Sequence, residues 1–206
     1  MVELLVVLAI ILTLTTVTLT SQGAFNKTLI LANTAYDMAL TLRSAETYGI
    51  SSRAAGIDRN TGYGLHLGPV PASTFTLFAD TNSAPGAPDN CHPTTDSTKP
   101  DAKPGNCIFD TGETVTDYAL GNRIVISDYC AYESGNRVCA SSDGLRALDI
   151  VFLRPNPDPF VRVTTASSAI VPETSACITI TSSQGGARYV SITAAGAITA
   201  GATPCL

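Results

Sequence analysis

Glu3 is the first residue in the chain whose chemistry stands out. It sits alone in an apolar run, with Met1 and Val2 before it and Leu-Leu-Val-Val-Leu-Ala-Ile-Ile-Leu12 after it, and the next charge is Lys27. A carboxylate at mid-helix in a bilayer costs roughly 2.5–3.5 kcal/mol, so Glu3 needs a positive partner that this stretch does not supply. The chemistry open to it is charge pairing. A second group is Asp80 and Asn82, followed by Asp110 and Glu113. Alternating oxygen-bearing side chains with a later acid is the pattern of a calcium site. The full Asp-x-Asn-x-Asn-Gly spacing is missing, and Asx turns in a solvated loop are the plainer reading of the same residues. Calcium is therefore the one cofactor with any support in the sequence.

The third group is six cysteines, Cys91, Cys107, Cys130, Cys139, Cys177 and Cys205. An even count in an exported chain reads as disulfides, and six cysteines allow fifteen pairings. Sequence proximity favours Cys91 with Cys107 across a Pro-rich loop, Cys130 with Cys139 across Ser134-Gly135-Asn136, and Cys177 with Cys205 at the carboxyl end. Zinc is disfavoured: there is no Cys-x-x-Cys pair, and the only histidines are His66 and His92. No Gly-x-Ser-x-Gly motif accompanies those histidines, and His66 reads as a sheet-face residue, so the chain is not expected to be an enzyme. Phosphate-cradling glycine loops are absent. Net charge is −5 with scattered arginines, which gives no footprint for nucleic acid.

These residues need elements to hold them. Residues 1–26 form an apolar segment, long enough at 1.5 Å per residue to cross most of a bilayer. No basic leading region or small-residue cleavage motif marks it as a cleaved signal, so it is expected to stay on the mature protein. Its stretch from Thr13 to Gly23 is rich in β-branched residues and is expected to be the weakest part of the helix. Residues 27–55 read as an amphipathic helix: Leu31, Ala35, Met38, Leu42, Ala45 and Gly49 recur at three- and four-residue spacing. Residues 56–206 form a β-rich head. Strands are expected at 62–67, 74–79, 115–119, 123–127, 147–153, 160–165, 176–182, 188–193 and 197–199. Hairpin signals lie at Ser183–Ala187, Ala195-Gly196 and Gly121-Asn122. Residues 81–106 hold five of the twelve prolines and read as a long stapled surface loop. Asn26-Lys27-Thr28 is a glycosylation sequon, but its place in the helix near the membrane argues against its use.

The run Met1-Val-Glu3-Leu-Leu-Val-Val-Leu-Ala-Ile-Ile11 resembles the amino terminus of type IV pilins and type II secretion pseudopilins. In that family the mature chain usually begins with a methylated Phe, then Thr, two apolar residues, Glu and a long apolar helix. On that pattern Met1 and Val2 are the two apolar residues and Glu3 is the family's glutamate; the leader, the Phe and the Thr would be missing from this sequence. The likeness is specific over residues 1–12, weaker through Ala35–Ile50, which resembles the second half of the pseudopilin helix, and only architectural after about residue 60.

The resemblance implies an α+β fold, with a long N-terminal helix packed by its second half on an antiparallel sheet. It implies that Glu3 meets the free amino terminus of a neighbouring copy during assembly, coupling burial of two charges to polymerisation. The expected function is structural, a subunit of an extracellular filament for adhesion or motility. Implied partners are copies of the chain, the inner-membrane pilus assembly machinery and a prepilin peptidase, with the bacterial membrane as anchor before assembly and the cell surface as destination. The alternatives are a secretion pseudopilin and a membrane-anchored extracytoplasmic binding module that never polymerises.

Overall fold

The computed structural model describes residues 2–51, 53, 55, 61–81, 105–121, 123–133, 135–154 and 156–205, apart from the side chains at 20–24 and 156. Most of the expected surface loop, with Asn82 and Cys91, lies outside the described residues.

Helix α1 runs unbroken from Val2 to Ile50. The threonine-rich stretch stays helical. The hydroxyls of Thr13, Thr15, Thr16 and Thr18 donate to carbonyls three or four residues earlier. Each hydroxyl is thereby satisfied within the helix and makes no demand on its surroundings. The second half of α1 buries the stripe read from the sequence: Leu31, Ala35, Met38, Leu42 and Ala45 are at most 1% exposed, and Gly49 is buried with them.

Among the described residues the head contains two antiparallel sheets where the sequence suggested one. The first joins β1 (Gly62–Leu67), β2 (Thr74–Asp80), β3 (Thr114–Ala119), β6 (Ala147–Leu153), β7 (Asn156–Thr164) and β8 (Ile170–Glu173) in the order β3-β2-β1-β6-β7-β8. The second joins β4 (Ile124–Glu133), β5 (Asn136–Cys139), β9 (Ser175–Ser182), β10 (Ala187–Ile192) and β11 (Ile198–Gly201) in the order β11-β10-β9-β4-β5. A single helical turn, α2 (Ala140–Asp143), follows β5. The second half of α1 touches β1, β6 and β7 of one sheet and β9, β10 and β11 of the other. One core results, in which Met38 and Leu42 join Leu65, Ile150, Ile178 and Val190. Burying apolar area at ~25 cal/mol per Å² makes this core the main term holding helix to head.

Three elements lie outside those expected from the sequence. Strand β5 is short and polar, and β8 carries Pro172, which an edge strand tolerates and a central one does not. Helix α2 is too short for a periodic signal. One expected hairpin is corrected: the turn at Gly121 joins β3 and β4, which belong to different sheets. A turn signal marks where the chain reverses but not which sheet receives the next strand. The hairpins at Ser183–Ala187 and Ala195-Gly196 do pair β9 with β10 and β10 with β11.

Candidate functional site

The first candidate is the apolar half of α1. Between Val2 and Leu19 every large apolar side chain is exposed, the least so being Leu8 at 48%. The segment is long and apolar enough to cross a membrane, and none of it is buried against the head. Glu3 lies in its first turn, exposed and with no ion pair among the described residues. An apolar helix at this place suits a membrane anchor or a signal sequence. The disulfides point to an extracytoplasmic head.

Two of the expected disulfides are present, Cys130–Cys139 and Cys177–Cys205. Cys130 and Cys139 are direct cross-strand neighbours on β4 and β5, while Cys177 on β9 holds the carboxyl-terminal segment. Cys107 is also disulfide-bonded; the proposed partner Cys91 lies outside the described residues.

The second candidate lies on the face of the first sheet turned away from α1. Side chains alternate along a strand, so Leu65, Leu77 and Ile150 face the core while His66, Phe78, Asp80, Asp149 and Val151 face the other way. The segment 105–113 covers that face. Phe109 packs on Phe78 and on the His66 ring, and with Phe160 it joins a small apolar cluster of Phe78, Cys107 and Val151.

Three buried acids hold this segment down. Asp80 accepts the Asn106 N–H on Oδ1 at 2.8 Å and the Cys107 N–H on Oδ2 at 2.9 Å. Glu113 accepts the Thr81 N–H at 2.7 Å and the Asp110 N–H at 2.8 Å. Asp149 meets His66 Nδ1 at 2.6 Å and accepts the Phe109 N–H at 3.4 Å. Carboxyl oxygens that accept backbone N–H donors offset part of an otherwise costly burial of both groups. Gly105 has a close-approach role. At φ 114 it lies against the Asp80 carboxyl group, and a Cβ there would collide with it.

Burial dominates the protonation of these acids. It pushes Asp80 up to about 8, against the pull of the Asn106 and Cys107 N–H groups, and Glu113 and Asp149 push the same way. Burial also raises Asp149 above the usual carboxylate range, opposed mainly by His66.

Of the expected calcium residues, Asp80, Asp110 and Glu113 are brought into one neighbourhood, and Asn82 lies outside the described residues. The oxygens of Asp80 and Glu113 are engaged by the backbone N–H groups named above, and Asp110 Oδ2 accepts the Asn106 side-chain amide at 2.8 Å. The one group of potential ligands that converges among the described residues is Asp128 with Cys130 and Cys139, whose sulfurs are already spent in a disulfide.

The His66–Asp149 pair is not legible in the sequence. The two residues are 83 positions apart and meet only because β1 and β6 pair in register. The available signal was an acid interrupting the apolar strand Leu148-Asp149-Ile150. Among the described residues no hydrogen bond reaches His66 Nε2, so the ring serves as a clamp on Asp149 and a platform for Phe109.

Comparison with family models, curated proteins and solved structures returns no match.

Proposed function

We propose that the chain is a structural subunit of a type IV pilin-like filament. One observation carries the reading. A single continuous helix is docked on the head through its second half, while the large apolar side chains of Val2–Leu19 stay exposed and none of that span is buried among the described residues. Before assembly that half lies in the membrane. In the filament it packs against the same segment of other copies, removing apolar surface from water at ~25 cal/mol per Å².

Glu3 fits this scheme as the registering contact. Its charge is unfavourable in an apolar bundle until an amino group of a neighbouring copy meets it. The disulfide-stapled head then forms the outer surface, where adhesive contacts are made. Electron microscopy of the purified full-length protein tests the reading: slender helical filaments are expected, and discrete particles at every concentration would instead favour a membrane-anchored module that does not polymerise.

A further inference from the structure

We propose that the cleft between α1 and the β9–β10 turn binds the phosphate of an anionic phospholipid headgroup. The inference rests on the membrane-anchored state described above. The cleft measures about 360 Å³ and is lined by Lys27, Ile30, Arg123, Ile124, Ser182 and Gln184. Two of these are cations and none is an acid. Lys27 and Arg123 are both exposed, and neither makes an ion pair among the described residues. Two like charges sharing one cleft repel each other, and an anion between them removes that cost.

The cleft is built from three segments tied together. Arg123 is held at φ 58, a left-handed conformation that non-glycine residues seldom adopt, at the start of β4. Its carbonyl accepts the Ser183 N–H at 3.2 Å, fixing it to the β9–β10 turn. Gly186 in that turn backs onto α1, where an added Cβ would lie 3.4 Å from Leu31 Cδ2, about one helical turn beyond Lys27. Ser182 Oγ accepts the Gln184 N–H at 3.2 Å, which leaves its own proton for an outside acceptor. An arginine fork, a lysine ammonium, a hydroxyl and an amide together make a phosphate-binding set.

Position selects the lipid as the source. From Val2 to Lys27 the helix rises roughly 38 Å. The hydrocarbon core of a bilayer is ~30 Å thick, or ~40–45 Å with its headgroups. With Val2 in the headgroup layer on one side of that core, Lys27 and the cleft beside it stand in the headgroup layer on the other. Lysines and arginines beside a leaflet that holds anionic lipid gain attraction from it.

The full-length protein in detergent micelles is offered equal amounts of phosphatidylcholine and phosphatidylglycerol, and retained lipid is counted by native mass spectrometry. Retention of phosphatidylglycerol is expected to exceed that of phosphatidylcholine about tenfold. Lys27→Gln with Arg123→Gln should bring the two close to parity with an unchanged melting temperature, because both side chains are exposed. Equal retention by the wild type, or an undiminished preference in the double variant, overturns the proposal. So does a double variant that keeps its lipid preference but loses chemical cross-links between copies, which would place a neighbouring subunit's carboxylate in the cleft. Partition into vesicles of phosphatidylcholine alone separates the two inferences. If the wild type enters those vesicles without a phosphatidylglycerol preference, only the headgroup site falls. If it does not enter them, the anchored reading falls as well.

Discussion

Gly49 in α1 lies against the backbone of Phe152 in β6 so closely that a Cβ on Gly49 would overlap the Phe152 carbonyl. The helix therefore meets the first sheet backbone to backbone at its carboxyl end. This contact sets how the apolar half of α1 projects from the head.

Gly49→Ala is expected to destabilise the head by about 1–3 kcal/mol, since neither the carbonyl nor the helix can yield without disturbing the core. Thermal unfolding of the detergent-solubilised protein measures it. An unchanged melting temperature would mean that the contact is slack.

Stability should depend on pH through the acids under segment 105–113. Asp80 has an ordinary value of 3.8 and is pushed up to about 8 in the folded chain, chiefly by burial. The folded state thus holds this proton more tightly than the unfolded state. Stability from the neutral acid is fully present below about pH 4 and is lost as pH rises through about 8. Asp149 is shifted in the same direction and adds to the trend. In buffer containing a chelator, the melting temperature is expected to fall across that window. Asp80→Asn should flatten the fall, and an equally steep profile in the variant would show that Asp80 is not its source.

Chelation itself should leave the melting temperature unchanged at neutral pH, because the Asp80 and Glu113 oxygens are already met by backbone N–H groups. A rise of several degrees on adding calcium would contradict this and establish the ligand set read from the sequence.

The Cys130–Cys139 and Cys177–Cys205 disulfides should differ in weight. Cys177–Cys205 closes a 28-residue separation and Cys130–Cys139 one of 9 residues. On chain entropy alone, replacing each pair by serine costs about 2–4 kcal/mol, with the longer loop losing roughly 1 kcal/mol more. Denaturant unfolding of the two double variants decides it, and the reverse order would show that local strand pairing outweighs loop length.

Much of the fold was legible because its signals are local. The stripe from Leu31 to Gly49 follows the helical period, and most strands lie between glycine and asparagine turns. Strand β8 was hidden by Pro172 and strand β5 by its polar sequence. The division into two sheets was hidden because it depends on which distant strands pair. The buried acids show the same limit. Asp80, Asp110 and Glu113 form a group in the sequence and do come together, but their hydrogen-bonding role depends on backbone groups whose placement no residue type announces. The role of Asp149 has no local signature, because its partner His66 lies on another strand.

Glu3 is proposed as an assembly contact carried on an exposed apolar helix. Electron microscopy of Glu3→Ala beside the wild type, with membrane fractionation of both, tests it most directly. The expected result is filaments from the wild type and none from the variant, with the variant still fully inserted in membranes. Filaments of equal number and length from Glu3→Ala would contradict the account.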